Sequence, residues 1–254
     1  MGEACVLIRE GLGAQAYQSL CDDLMAGRYE PGQKLKLREL ADRLGVSVTP
    51  VREALARLIA DQAVVQIDHR SVRVSVMSLD RFNEVRELRL ELEGRAAEQA
   101  AHRATLEDIE DLQAIHDRLI DARARDCYAD ILLANQQFHL CLCRSARMPV
   151  LLRLVENLWL QCGPLMNGMT RWPSAQPTQH PHVTVIKALR AGDGRLAREA
   201  LQADIFMATE ALRRYLTVHV DRPEWAKRSL GQSDGMAHEQ KVRRKAPERR
   251  AEAA

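Results

Sequence analysis

Residues 45–58, GVSVTPVREALARL, restrict the fold of this chain more than any other segment. Gly45 tolerates the positive φ that closes a preceding helix, and residues 37–44 are helix-forming. Ser47 is a typical N-cap, and Pro50 is tolerated in a first helical turn because the amides there lack intrahelical partners. Two short helices joined by a tight turn are therefore predicted, which is the geometry of a helix-turn-helix.

The second of these helices is predicted to have two different faces. One is an apolar stripe at helical spacing, formed by Val51, Leu55, Leu58 and Ile59. Thr49 and Arg52 project to one side of that stripe, where they can meet a partner. In helix-turn-helix proteins this helix enters the major groove of DNA. The alternative is an ordinary amphipathic helix pair within a larger α-domain, since short segments of this pattern are common.

The flanking segments favour a winged helix-turn-helix. Upstream, an amphipathic helix is ended by Gly27 and by the turn at Pro31-Gly32. Downstream, residues 64–67 and 72–76 have strand-like composition and are joined by residues 68–71. Three helices followed by such a hairpin are typical of a winged DNA-binding domain.

Three strings carry a specific resemblance: RYEPG at 28–32, L-x-E-L-A at 37–41, and LGVS-x-TPVREAL-x-x-L at 44–58. On these residues the N-terminal region resembles the DNA-binding domain of GntR-family bacterial transcription regulators. The resemblance implies a double-stranded operator DNA as partner. It places the DNA contacts at Arg38, Ser47, Thr49 and Arg52, and at the wing tip at His69 and Arg70.

Two positions depart from the family pattern. Val48 stands where the family usually has an arginine, which removes one contact to a base or phosphate. Arg70 stands where the wing tip usually has glycine, so the tip is expected to sit differently in the minor groove.

The net charge of the whole chain does not indicate DNA binding, but the charge of one segment does. The formal net charge is +2, but residues 34–57 contain six basic residues against three acidic ones. This surplus neutralises a few phosphates per subunit. We therefore expect two such domains to act together, as a homodimer on a palindromic operator.

A second domain is predicted after residue 78. Residues 80–216 show helical periodicity with few breaks, and we place helices at 80–102, 105–123, 129–146, 149–168, 180–191 and 195–217. The predicted fold is mainly α, with a winged helix-turn-helix at 1–78 and an all-α antiparallel helical bundle at 79–221. Residues 222–254 are basic and poor in apolar groups, so we predict a disordered tail.

The remaining composition indicates a cytoplasmic protein that does not enter a membrane. No run of about 18 apolar residues is present, as a transmembrane helix requires. The N-terminal apolar stretch is too short for a signal peptide. The six cysteines have no regular spacing, and we expect them to be free thiols.

The bundle resembles the effector-binding domain of the FadR subfamily of GntR regulators, known as the FCD domain. The resemblance rests on V-R-E-x-R-x-x-L-E at 85–93 and A-L-x-x-G-D-x-x-x-A at 188–197. It implies a domain that dimerises and responds to a small organic acid.

Four residues of the bundle are candidate ligands of a divalent metal. Asn135 and His139 are one helical turn apart, and His182 and Asp204 each lie eleven residues from Asp193. An antiparallel hairpin about Asp193 therefore places His182 and Asp204 at the same level. Two imidazoles, a carboxylate and an amide oxygen suit Zn²⁺, Mn²⁺ or Ni²⁺. The alternative is that both histidines are ordinary core residues bonded to backbone or water.

The family resemblance supports the metal hypothesis, because many members bind a metal through Asp or Asn and three histidines at these positions. Here Asp204 replaces the third histidine, so a changed affinity is expected. The resemblance also suggests that Arg89 contacts the carboxylate effector; the alternative for Arg89 is a surface ion pair with Glu93, four residues on.

Two functions remain open from the sequence. The favoured one is a metabolite-responsive transcription regulator, acting as a repressor. The other is a metal-dependent enzyme with a winged-helix appendage, since an open metal position also serves catalysis. The absence of a motif such as His-Glu-x-x-His favours the regulator over the enzyme.

Overall fold

The computed structural model describes residues 3–68, 71–166 and 180–219. The winged helix-turn-helix contains α1 (Glu3–Met25), β1 (Lys34–Leu35), α2 (Leu37–Leu44), α3 (Val48–Ala60), β2 (Val64–Asp68) and β3 (Ser71–Val74). The all-α bundle contains α4 (Leu79–Arg103), α5 (Leu106–Ala124), α6 (Tyr128–Ser145), α7 (Pro149–Met166), α8 (Pro181–Ala191) and α9 (Gly194–His219). The predicted wing-tip residues His69 and Arg70, and the predicted tail at 222–254, lie outside the described residues.

The turn between α2 and α3 has the predicted geometry. Gly45 has a φ of 65°, and its amide donates to the carbonyl of Asp42 at 3.3 Å. Ser47 is the N-cap residue of α3, but its hydroxyl makes no capping hydrogen bond, and Pro50 lies in the first turn. The hydroxyl of Ser47 is therefore available to a partner. The inner face of α3 is buried through Val51, Ala54, Leu55 and Leu58.

The wing belongs to a three-stranded sheet in which β3 lies between β1 and β2 and is antiparallel to both. Val64 pairs with Val74, and Lys34 pairs with Arg73. The sequence predicted the hairpin of β2 and β3 but not β1. Two residues are too few to show the alternation by which a strand is recognised.

The helices of the bundle follow the sequence prediction, and the described ends differ from it by no more than two residues; the end predicted at residue 168 lies outside the described residues. Their ends are fixed by local capping. The Ser78 side chain accepts a hydrogen bond from the amide of Arg81, and Thr105 and Asp108 form the predicted capping box. Gly192, with a φ of 68°, ends α8 and turns the chain into α9.

Packing of α4 along α9, α5 along α6, and α8 against α9 encloses the bundle core. Trp159, Phe138 and Leu201 are among its fully buried side chains, and each contributes about 1.5–3 kcal/mol by its removal from water. Within the described parts of the chain, no helix is long and apolar enough to span a membrane. Five cysteines are free thiols, namely Cys21, Cys127, Cys141, Cys143 and Cys162.

The winged domain packs directly on α7. The amide of Asn157 donates to the carbonyl of Asp61 at 3.3 Å, and Arg81 bridges Gln62 and Gln161. Gly163 lies against the end of α1, where an added Cβ would be 2.4 Å from the carbonyl oxygen of Leu24. One continuous hydrophobic cluster therefore includes residues of both the winged helix and the bundle.

Gly163→Ala is expected to lower the free energy of unfolding by about 1–3 kcal/mol, since overpacking against backbone is not relieved by side-chain rotation. Urea denaturation followed by circular dichroism measures this change. Gly11→Ala in α1 is the matched control, because its Cβ meets nothing within 4 Å and alanine favours a helix. Equal stability of Gly163→Ala and the wild type would show that α1 and α7 do not pack this closely.

Candidate nucleic-acid interface and metal centre

The candidate DNA interface is the outer side of α2 and α3. Ser47, Thr49 and Arg52 at the start of α3 are exposed, as is Arg38 on α2. Neither arginine makes a hydrogen bond or an ion pair with another described residue. Each guanidinium therefore keeps its five N–H donors for phosphates or base edges.

Val48 behaves differently from its neighbours on the predicted DNA face. It is half-buried and packs against the winged-helix core. The position at which the family usually has an arginine is thus used here for packing, and the loss of one DNA contact stays a prediction.

The bundle interior contains a group of ionisable residues that we name the histidine cluster: His116, His139, His180, His182 and Asp204. All five are buried, and they come from four elements. His116 lies on α5, His139 on α6, and Asp204 on α9. His180 is the N-cap of α8, and His182 follows in its first turn.

Three of the four predicted metal ligands meet in this cluster. His139 Nε2 lies 3.0 Å from Asp204 Oδ2, and His182 Nε2 lies 3.6 Å from the same oxygen. The α8–α9 hairpin therefore brings His182 and Asp204 to one level, as the spacing about Asp193 predicted. Asn135 lies one turn before His139 on α6 and is half-buried. Metal binding by these four residues stays a prediction.

Glu93 on α4 links the cluster to Arg89. Its Oε2 lies 2.6 Å from His139 Nδ1, and its Oε1 accepts a hydrogen bond from Arg89 Nε at 2.6 Å. The guanidinium carbon of Arg89 lies 3.9 Å from the ring centroid of Trp159. The ion pair between Arg89 and Glu93, which was the alternative interpretation of Arg89, does form. Its predicted location on the surface is wrong, because both side chains are buried.

The sequence analysis missed two residues of the cluster, His116 and His180, which were not noted as ligands. It named Glu93 as the ion-pair alternative for Arg89 and as part of a family string, but not as a partner of His139. His180 precedes His182 by two residues in His-Pro-His, a local signal that was present. No local signal pointed to His116, because α5 and α8 are distant in sequence and only the fold brings them together.

The environment sets the protonation of these groups. Burial alone would lower the pKa of His139, but the attraction of Glu93 and hydrogen bonds with Asp204 and Glu93 raise it to about 9. Burial lowers the pKa of His182 to about 4, and burial together with repulsion from His182 lowers that of His180 to about 3. Burial raises the pKa of Asp204, but His182 and His139 bring it well below its usual range. His180 and His182 are therefore neutral near pH 7, whereas His139 is protonated and releases the hydrogen of Nε2 when a metal takes its place.

The donors present fit a divalent metal. His139, His182 and Asp204 offer ligand atoms that all lie within 4.8 Å of one another. Bonds of about 2.0–2.2 Å bring two ligands of one ion to about 4.4 Å or less, so small side-chain rotations suffice. His182 is fully buried, and neither of its nitrogens has a hydrogen-bond partner among the described residues. Buried polar atoms are almost always satisfied, so these nitrogens point to a ligand.

A winged helix-turn-helix with exposed arginines on α2 and α3, joined to an all-α bundle, is the architecture of a transcription regulator. The family model for gntR-family bacterial regulatory proteins matches residues 12–74, and that for the FCD domain matches residues 84–206. The chain belongs to the GntR family of bacterial transcription regulators, and its FCD domain is consistent with the FadR-type subfamily.

Individual relatives agree with this assignment. The chain is 32% identical to the HTH-type transcriptional regulator McbR of Escherichia coli K12 over 195 residues, which are 75% of this chain and 87% of McbR. It is 28% identical to the transcriptional repressor GlaR of the same organism, over 56% of this chain and 67% of GlaR. The solved structure of E. coli McbR/YncC superposes with a TM-score of 0.76 at 28% identity, over 80% of this chain and 98% of that one. These relatives are regulators and not enzymes, so the metalloenzyme alternative is not supported.

Proposed function

We propose that the protein binds a palindromic operator in double-stranded DNA as a homodimer and represses transcription until a small carboxylate metabolite binds in the bundle. The observation that carries the DNA-binding part is the exposed Arg52, which has no partner among the described residues and lies in the first turns of the recognition helix. A role in repression is supported by GlaR, a relative that is named as a repressor.

We infer a dimer because one winged domain makes few contacts with DNA. A single α3 reaches one major-groove segment, and the basic surplus of residues 34–57 is six minus three, or three charges. Two copies related by a two-fold axis read both halves of a palindrome and double the number of contacts. Exposed apolar side chains on the bundle, such as Leu106, Val150 and Leu154, provide surface that a second copy can cover.

The metal would be a divalent ion such as Zn²⁺, Mn²⁺ or Ni²⁺, held by Asn135, His139, His182 and Asp204. When bound, it supplies a localised positive charge that attracts a carboxylate. Glu93 accepts the hydrogen of His139 Nδ1 and so orients Nε2 toward Asp204. Such outer carboxylates fix the ring and the tautomer of a ligating histidine.

The effector carboxylate also needs a cation from the protein. The predicted contact, Arg89, is engaged by Glu93 and stacked on Trp159. Arg123 on α5 offers another: it is half-buried, and its Nε is buried with no hydrogen-bond partner among the described residues. Burial lowers the pKa of the Arg123 guanidinium, whereas the negative charge of Asp204 acts to raise it. Arg123 is therefore close enough to the cluster to interact with its charge. We therefore propose Arg123 beside Arg89 as a contact for the acid.

A gel shift with the promoter next to the gene tests the function. The protein is expected to retard this DNA as a complex with two protomers per operator, and a small organic acid is expected to release it in the presence of a divalent metal. Sedimentation of the complex gives the stoichiometry. Failure to prefer promoter DNA over random DNA at physiological salt would contradict the proposal, as would a complex containing one protomer.

Arg123→Gln extends the same experiment. The acid concentration that releases half of the DNA is expected to rise by at least about tenfold, since a charged hydrogen bond contributes about 1.5–3 kcal/mol. Arg125→Gln, which removes only exposed ion pairs at the end of the same helix, is the control. An unchanged response of Arg123→Gln would leave Arg89 as the predicted contact.

A further inference from the structure

The histidine cluster contains a second set of ligands beside the predicted one. His116, His180 and His182 offer ligand nitrogens that all lie within 4.8 Å of one another. The ring centroids of His180 and His182 are 4.2 Å apart, and that of His116 is 5.7 Å from each. Three imidazoles from α5 and from the start of α8 therefore converge on one point.

Two of these imidazoles, those of His116 and His182, are buried without all the hydrogen bonds that such burial normally requires. Among the described residues, His116 Nδ1 and both nitrogens of His182 have no hydrogen-bond partner. Buried polar atoms are almost always satisfied, so unsatisfied nitrogens on two neighbouring rings call for a common explanation. A cation that accepts one lone pair from each ring supplies one for His116 Nδ1 and for one nitrogen of His182, whose other nitrogen then carries the ring hydrogen.

The surroundings hold the three rings in position. The His182 ring stacks on Phe138 with a centroid distance of 3.5 Å and an interplanar angle of 7°. The amide of His182 donates to His180 Nδ1 at 3.3 Å, which fixes the two rings of the His-Pro-His segment relative to each other. Asp204 Oδ1 lies 3.8 Å from His180 Nδ1 and brings a negative charge to the site.

We propose that His116, His180 and His182 form a second coordination position, which binds a Zn²⁺-class ion. Three imidazole ligands with an open fourth place are a common zinc set. This proposal rests on the proposed function in one point: both metal positions use His182 as a ligand. Because they share this ligand, the two positions compete, and one ion per protomer is expected.

Titration of the full-length apoprotein with Co²⁺ alone, followed by its visible absorption and by Zn²⁺ competition, tests this inference. His139→Ala removes a ligand of the predicted position only and is expected to bind one Co²⁺ per protomer. His116→Gln removes a ligand of the second position only and is also expected to bind one ion. The double variant is expected to bind at least about 100-fold more weakly than His139→Ala, because loss of a direct ligand exceeds the 10–100-fold effect of an outer one.

His102→Ala serves as the control, since this exposed histidine near the end of α4 is outside the cluster. Circular dichroism verifies the fold of each variant, and His139→Gln replaces His139→Ala if alanine unfolds the bundle. Loss of Co²⁺ from His139→Ala, with binding retained in His116→Gln, would overturn the second position and leave the predicted one intact. The reverse pattern would support the second position and contradict the predicted ligand set. If the wild type binds no Co²⁺, both positions fail.

Discussion

Replacement of Arg52 by alanine is expected to weaken operator binding by at least about tenfold, because one bidentate arginine contact to guanine contributes about 1–3 kcal/mol. A dimer makes this contact in both half-sites, so the loss occurs twice. Arg52 is exposed and has no partner among the described residues, and the substitution therefore leaves the interior of the protein unchanged.

Fluorescence anisotropy with labelled operator DNA measures this effect, at one fixed salt concentration because the affinity depends on salt. Arg195→Ala is the matched control: it removes an exposed arginine with the same charge, whose partner among the described residues is Glu199 on α9. Equal operator affinity for Arg52→Ala and Arg195→Ala would mean that α3 does not face the DNA as proposed.

Removal of His182 is expected to abolish metal uptake entirely, since His182 is the one residue shared by both ligand groups of the histidine cluster. Alanine would leave a cavity, because this ring is fully buried and stacked on Phe138. His182→Phe fills that space with an aromatic ring that has no ligand atom, and it is the sharper variant. Operator affinity without metal or acid is expected to stay at the wild-type level, because His182 is not part of the DNA face.

Elemental analysis after loading with Zn²⁺, Mn²⁺ or Ni²⁺ and removal of free ions gives the metal content. The wild type is expected to retain one ion per protomer, and His102→Ala controls for the loss of a histidine as such. A His182→Phe protein that carries as much metal as the wild type would show that the cluster is a structural core and that any ion binds elsewhere.

The parts of the fold that could be predicted are those set by neighbours in sequence. The α2–α3 turn follows from Gly45 and the α5 start from Thr105 with Asp108, and both appear as expected. The approach of His182 to Asp204 was also predictable. In a tight helical hairpin, residues at equal distances in sequence from the turn at Asp193 lie side by side.

The rest of the candidate site depends on contacts between distant helices. Helical spacing shows that Arg89 and Glu93 share a face of α4, but whether that face is solvated or buried depends on α6, α7 and α9. Glu93 is part of the site because its carboxylate contacts His139, which lies 46 residues further along the chain. His116 joins the cluster through the packing of α5 on α8, which no periodicity in either segment indicates.

The double role of α7 has a thermodynamic consequence. Trp159 on this helix lies under Arg89 and near the His139 ring, while Asn157, Gln161 and Gly163 support the winged domain. If the bundle binds an acid as proposed, a helix that contacts both places provides a physical route by which acid binding and operator binding become linked. By the reciprocity of linked binding, any factor by which a bound acid changes operator affinity is the factor by which the operator changes affinity for the acid. Under the proposed function, a protomer on its operator and a free protomer would therefore respond to the metabolite over different concentration ranges whenever that factor differs from one.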